Sequence, residues 1–148
     1  MVILAAGQGS RMKSDLPKVL HKVGAVPMVG HALAAARSLE PDQIVVVAGH
    51  GAEQVTKAVA KLDAEARIAL QTEQLGTGHA VAQALPLLDG FDGRVIVLYG
   101  DTPFISEETL AALVAHDADV VVLGFEAADP ARYGRLVTDA DGNLERIV

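Results

Sequence analysis

The sequence predicts an α/β fold: a mainly parallel sheet with helices on both faces. Short β-branched runs recur at 2–5, 43–49, 67–71, 94–100 and 119–125, and they are continuous rather than alternating, the pattern of strands covered on both sides. Segments with helical spacing separate them through short connections, as in βαβ units. The loops following the first, third and fourth runs are unusually rich in glycine and polar residues. Open parallel sheets bind their ligands beyond the carboxyl ends of the strands, where these loops lie.

Taken in order, VILA (2–5) is the first strand and feeds directly into AAGQGSRM (5–12). No helical pattern begins until about Val26. PMVGHALAAARSL (27–39) then places Met28, His31, Ala32, Ala35 and Leu39 near one helix face. QIVVVAG (43–49) is the second strand, and AEQVTKAVAKL (52–62) aligns Val55, Ala58, Val59 and Leu62. RIALQ (67–71) leads through a glycine-rich loop into a helix over 78–88. RVIVLYG (94–100) leads into a helix over 106–116, with Ser106 at its start and acidic residues in its first turn. DVVVLGF (119–125) reads as a fifth strand. RLVTD-ADG-NLERIV then carries an Asp-Gly turn between two β-like runs, a hairpin signal at which the α/β alternation ends. The order of strands in the sheet is not legible from this pattern.

A chain of 148 residues, 51% of them apolar, suits a single domain with a real core. Its formal net charge of −7 argues against a surface built to hold nucleic acid, but leaves room for one local anion site. The absence of cysteine excludes a disulfide framework and a thiolate metal centre. No apolar run is long enough to span a membrane, and the opening run lacks the basic leader of a signal peptide, so a cytoplasmic location is expected. The chain starts almost on its first core residue and stops on two β-branched apolar residues, which reads as a piece of something longer.

Three stretches carry chemistry. In AAGQGSRM, Gly7 and Gly9 let backbone N–H groups approach a phosphate closely. The spacing is not that of a Walker loop, and Met12 stands where a dinucleotide fingerprint needs its third glycine. The glycines alone fit an ordinary turn equally well. Arg11 and Lys18 tip the balance toward a polyphosphate clamp: Arg11 can fork two donors onto phosphate oxygens, and Pro17 stiffens the backbone that leads to Lys18. In QTEQLGTGHAV (71–81), Gln71 ends a strand and Gly76 and Gly78 flank Thr77, groups suited to reading a nucleobase edge or, more plainly, to starting a helix with Thr77 as its cap. His79 reads as packed or exposed rather than catalytic. In LYGDTPF (98–104), Asp101 directly follows a strand, well placed for a hard cation that prefers oxygen ligands, or else as a turn aspartate. The five histidines are scattered, and no nucleophile elbow or His-Glu-x-x-His pair occurs.

Together these stretches resemble a family. LAAGQGSRMKSDLPKVLHKVGAVPM is similar to the signature of sugar-phosphate nucleotidyltransferases. With QLGTGHAV, LYGDTPF and DPARYGR it resembles, across essentially the whole chain, the N-terminal part of the uridyltransferase domain of the bacterial bifunctional N-acetylglucosamine-1-phosphate uridyltransferase family. That resemblance implies a Rossmann-like nucleotide-diphospho-sugar transferase fold, truncated at its C-terminus, over residues 1–148. It implies uridylyl transfer from UTP to N-acetylglucosamine 1-phosphate with Mg²⁺. By the same resemblance Arg11 and Lys18 contact phosphate, the backbone of Leu4, Ala5, Ala6 and Gly7 holds the uridine, and Gln71, Gly76 and Thr77 read the base. Asp101 is the metal ligand, Tyr99 and Gly100 neighbour nucleotide and sugar, and Gly134 belongs to the sugar pocket. Ser10 stands where the family more often has threonine. The family's trimer-forming C-terminal domain and the segment supplying a second metal ligand have no counterpart here, so low or no activity is expected of the chain alone. A nucleotidyltransferase for another nucleotide or sugar phosphate, or a nucleotide-binding fragment without catalysis, are the alternatives.

Overall fold

The first strand, β1 (Val2–Ala5), is buried along its whole length, and so is β4 (Val45–Ala48), its neighbour. Runs without a polar residue can be tolerated only where both faces of the sheet are covered. The computed structural model describes residues 1–9, 12–131 and 133–148. They divide into two compact units, Met1–Val114 and Ala115–Val148.

The first unit is built on a four-stranded parallel sheet in the order β5-β4-β1-β6, with β5 at Arg67–Leu70 and β6 at Val97–Tyr99. Val2 pairs with Val45 on one side and Val97 on the other. The chain thus winds outward from β1 through β4 to β5, then returns across β1 to place β6 on its far side. This reversal is the topological switch point of a doubly wound sheet. The edge strands β5 and β6 are only partly buried, so the expectation of full coverage holds for the two central strands alone.

Alternating side chains feed two apolar layers. Ile3, Ala5, Val46, Ala48 and Leu98 meet α1 (Met28–Arg37), α2 (Ala52–Leu62) and α4 (Glu107–Ala115) through residues such as Val29, Leu33, Val55, Val59 and Leu110. Val2, Leu4, Val45, Val47 and Ala69 meet Ala80 and Ala84 in and just beyond α3 (Thr77–Ala82) on the opposite face. Each large aliphatic side chain fully removed from water contributes roughly 1.5–3 kcal/mol. Of the expected stripe Met28, His31, Ala32, Ala35 and Leu39, the structure buries Met28 and Ala32, but the buried face is turned toward Val29, Leu33 and Ala36, leaving His31, Ala35 and Leu39 at its margin or outside it. An alanine-rich helix has a weak apolar contrast, and the neighbouring sheet decides which side it buries.

Between β1 and α1 lie a 3₁₀ turn at Lys18–Leu20 and a two-stranded hairpin, β2 (Lys22–Val23) with β3 (Val26–Pro27). The expected helix over 78–88 is shorter: α3 ends at Ala82 and a 3₁₀ turn follows at Leu85–Leu87, where Pro86 cannot donate to a helical ladder. Gly76, not Thr77, occupies the cap position of α3. Ser106 caps α4 as its sequence suggests, its Oγ accepting the Thr109 N–H at 3.2 Å.

In the second unit, β7 (Leu136–Thr138) and β8 (Leu144–Ile147) form the expected antiparallel hairpin around Asp141-Gly142, with Gly142 at φ +86°. The expected strand at 119–125 does not form, and Val120 and Phe125 are each 71% exposed. β-branched composition supplies a preference, but a strand also needs a hydrogen-bonded neighbour. Within this unit β7 and β8 pair with each other. Among the described residues no helix is long and apolar enough to cross a membrane.

Candidate functional site

The carboxyl ends of β1, β5 and β6 open onto one cleft of about 250 Å³. It is lined by Leu4, Ala6, Gly7, Lys18, Val19, Gln71, Gln74, Gly76, Thr77, Ala80, Tyr99 and Asp101. The position follows from the strand order, because β1 lies between β4 and β6 at the point where winding reverses.

Lys18 is held from below. Pro17 is fully buried, and a Cβ on Gly51 would come within 2.4 Å of its Cγ. Gly51 also sits at φ +65°, a conformation that disfavours any side chain. Gly9, at φ +60°, packs its backbone against the Lys18 stem, where a Cβ would fall 2.7 Å from the lysine Cβ. The second glycine of the loop is therefore required by its approach to Lys18. Gly7 has open space around it and faces the cleft.

Asp101 is positioned by the β1–β6 contact. The Gly100 N–H donates to the Leu4 carbonyl at 2.9 Å, and a Cβ on Gly100 would lie 3.0 Å from that oxygen and 3.3 Å from Val19. A side chain there would force this oxygen or Val19 to give way, so glycine favours the close approach of the end of β6. The next residue, Asp101, accepts a hydrogen bond from Lys18 Nζ at 2.5 Å through its Oδ2. Each of the two side chains is about one third exposed (36% and 32%), so the pair is open to exchange with a ligand.

The opposite wall comes from β5. Among the described residues Gln71 is the one buried polar side chain, 5% exposed. Its backbone N–H donates to Ala48 at 2.8 Å, which fixes the strand end. Its side-chain Nε2 lies 3.1 Å from the Gly76 carbonyl and 3.1 Å from His79 Nδ1. Gly76 has φ +97° and ψ 179°, a region essentially restricted to glycine, and from there the chain enters α3.

Nine of the residues singled out from sequence thus surround the cleft: Leu4, Ala6, Gly7, Lys18, Gln71, Gly76, Thr77, Tyr99 and Asp101. Ala5 turns its side chain into the core beside α1 and α2, and Gly100 acts through close packing behind the lining. Arg11 lies outside the described residues. Gly134 lies in the second unit, with a would-be Cβ 3.2 Å from Ile147. Sequence reasoning passed over Gln74, Val19 and Ala80. Gln74 was legible as a second amide in the same polar loop, whereas Val19 and Ala80 carry no chemical signal.

The MobA-like NTP transferase domain family matches residues 1–140. The chain belongs to this family. The bifunctional protein GlmU of Paracoccus denitrificans (strain Pd 1222) is 75% identical over 148 residues, all of this chain and 33% of that protein. The chain therefore spans one third of the length of this relative. Among solved structures, HddC from Yersinia pseudotuberculosis complexed with GMP-PN is similar at 27% identity and a TM-score of 0.79, over 99% of this chain and 67% of that one. Rv0371C from Mycobacterium tuberculosis H37Rv, in a complex with manganese, is similar at 25% identity and a TM-score of 0.62, over 76% of this chain and 55% of that one. The parallel sheet with flanking helices is the architecture of the nucleotide-diphospho-sugar transferase fold, as the resemblance implied.

Proposed function

We propose that the cleft binds the nucleotide for uridylyl transfer from UTP to N-acetylglucosamine 1-phosphate, giving UDP-N-acetylglucosamine and pyrophosphate. The observation that carries this reading is the convergence of Lys18 and Asp101 at the switch point, a cation and a carboxylate 2.5 Å apart at the mouth of a cleft with a polar, glycine-walled end. The 75% identity to a GlmU protein supports the choice of substrates.

In this reading an oxygen of the sugar phosphate attacks the α-phosphorus of UTP in line. The bond from that phosphorus to the bridging oxygen breaks, and pyrophosphate leaves with the electron pair. No covalent intermediate on the protein is needed, so catalysis rests on positioning and charge neutralisation. Lys18 donates to phosphate oxygens, with Arg11 assigned the same task by the family motif. The backbone of the Leu4–Gly7 segment supports the nucleoside, and Gln71 with the Gly76–Thr77 turn reads its base.

Asp101 fits a divalent cation. Its carboxylate already accepts a cationic group, and it stays partly open to solvent. Among the described residues no cluster of three or more His, Cys, Asp or Glu side chains surrounds it, so phosphate oxygens and water would complete the coordination, as suits Mg²⁺. The manganese complex of the similar Rv0371C structure supports a divalent ion here. Bound there, the ion would neutralise phosphate charge.

The test is calorimetric titration with UTP and Mg²⁺, run beside a pyrophosphate-release assay with N-acetylglucosamine 1-phosphate. UTP binding that is lost in Lys18→Ala supports the reading, and failure of the wild-type chain to bind any nucleoside triphosphate removes it. The HddC complex favours a second reading in which a guanosine nucleotide occupies the cleft, and tighter GTP than UTP binding in the same titration would select it.

A further inference from the structure

His79 does not line the cleft, yet it is bonded to Gln71, which does. Its Nδ1 lies 3.1 Å from Gln71 Nε2, and its Nε2 lies 3.1 Å from Nε2 of Gln83, one turn further along, which also lies 3.2 Å from the His79 carbonyl. The half-buried ring is thus bracketed by two amides beside α3. We propose that His79 is a positioning residue for base selection, acting through Gln71. The inference rests on the reading of the cleft as a nucleotide site.

The hydrogen-bond chemistry leaves few choices. The Gly76 carbonyl can only accept, so the NH₂ end of Gln71, and not its Oε1, must face it at 3.1 Å. With the amide held that way round, its other N–H points at His79 Nδ1, which must then be the bare, accepting nitrogen. The imidazole accordingly carries its proton on Nε2. Gln83, whose Nε2 sits 3.1 Å from that nitrogen and 3.2 Å from the His79 carbonyl, turns its half-buried amide to accept there through Oε1. Water can compensate this change at Gln83 but not at Gln71. Both hydrogens of the Gln71 NH₂ group are now committed, and Oε1 is the atom left for a ligand. Gln71 is 5% exposed, so the amide has little water to compensate a wrong partner.

A buried side chain locked as an acceptor discriminates by hydrogen-bond sense. It favours a base edge that offers a ring N–H, as uracil does at N3, over one that offers a bare ring nitrogen, as cytosine does. Sites built on such a bond reject the wrong partner strongly, because the buried group is left unpaired. Without the imidazole acceptor, the Gly76 carbonyl alone restrains the amide. The group can then turn to present NH₂ to the cleft, and selection weakens.

The experiment compares UTP and CTP affinities for the wild-type chain, His79→Leu and His79→Asn by calorimetry. The Asn carboxamide oxygen branches where Nδ1 does and restores an acceptor. The expected result is a UTP preference of at least about tenfold in the wild type, a fall of about fivefold or more in that ratio for His79→Leu, and recovery in His79→Asn. If His79→Leu weakens both nucleotides in parallel with the ratio unchanged, His79 is merely structural and the inference is overturned. A wild type that binds both nucleotides equally overturns the inference while leaving the nucleotide site standing, and a wild type that binds neither overturns both. A second readout needs no nucleotide and no variant. The ¹⁵N shifts of the His79 ring in the free protein are expected to report a bare Nδ1 and a protonated Nε2, and the reverse tautomer overturns the inference.

Discussion

Lys18 and Asp101 are separated by 83 residues of chain and meet at 2.5 Å, Nζ to Oδ2, where the first and fourth strands of the parallel sheet end. Both side chains are about one third exposed, so the pair itself adds only about 0.2–1 kcal/mol to stability. Its value lies in placement. Lys18→Met is expected to leave the melting temperature nearly unchanged. The same change is expected to raise the Kd for UTP about 10- to 100-fold, the cost of a lost charge-assisted bond of roughly 1.5–3 kcal/mol. Calorimetry of binding beside a thermal melt separates the two effects. In Asp101→Asn, stimulation of UTP binding by Mg²⁺ is expected to disappear.

The two glycines that shape the cleft walls differ in kind, and substitution should reveal it. A Cβ on Gly51 meets the buried Pro17 at 2.4 Å and the backbone there has φ +65°, so Gly51→Ala carries both a clash and a conformational penalty. It is expected to destabilise by more than about 2 kcal/mol and to weaken UTP binding by moving Pro17 and Lys18 together. Gly76 has φ +97° with nothing within 4 Å of a would-be Cβ. Gly76→Ala therefore carries the backbone penalty alone, about 1–3 kcal/mol, and chemical denaturation measures both.

Arg37 at the end of α1 forks onto Asp63 just past α2, with Nε to Oδ2 at 2.6 Å and Nη2 to Oδ1 at 2.7 Å. Asp63 also accepts the N–H groups of Glu65 and Ala66. The Arg37 guanidinium, foremost, with these backbone donors, holds the Asp63 carboxyl below its usual pKa, against an opposing desolvation. A depressed folded-state pKa adds stability above the unfolded value, near 4, and that stability is lost as pH falls through the folded value. Asp63→Asn is expected to lower stability by about 1–2 kcal/mol at neutral pH, discounted because Arg37 is 36% exposed, with the gap closing below about pH 4. Urea melts of both proteins across this range provide the check.

Leu110 of α4 is fully buried against the sheet face that also holds Ile3 and Leu98. Leu110→Ala is expected to cost about 2–5 kcal/mol through lost burial and the cavity left behind. Since Leu110 does not line the cleft, UTP affinity measured well below the new melting point should stay within about threefold of wild type.

Much of this protein was legible in its sequence. The four β-branched runs that became the parallel sheet, the helical segments between them and the Asp-Gly hairpin each depend on side-chain spacing within about ten residues, and that information is local. The three loops rich in glycine and polar residues were legible for the same reason, and so were Lys18, Gln71 and Asp101 as candidates. Tertiary structure decided what spacing cannot encode. The order β5-β4-β1-β6 set β6 beside β1 and so brought Asp101 to Lys18. Packing chose the buried face of α1 and left 119–125 without a strand partner. It also turned His79, unremarkable in the sequence, toward Gln71. Pairing and burial between distant segments are settled by which arrangement removes the most apolar surface while leaving the fewest backbone groups unbonded, and that balance exists only once the whole chain has folded.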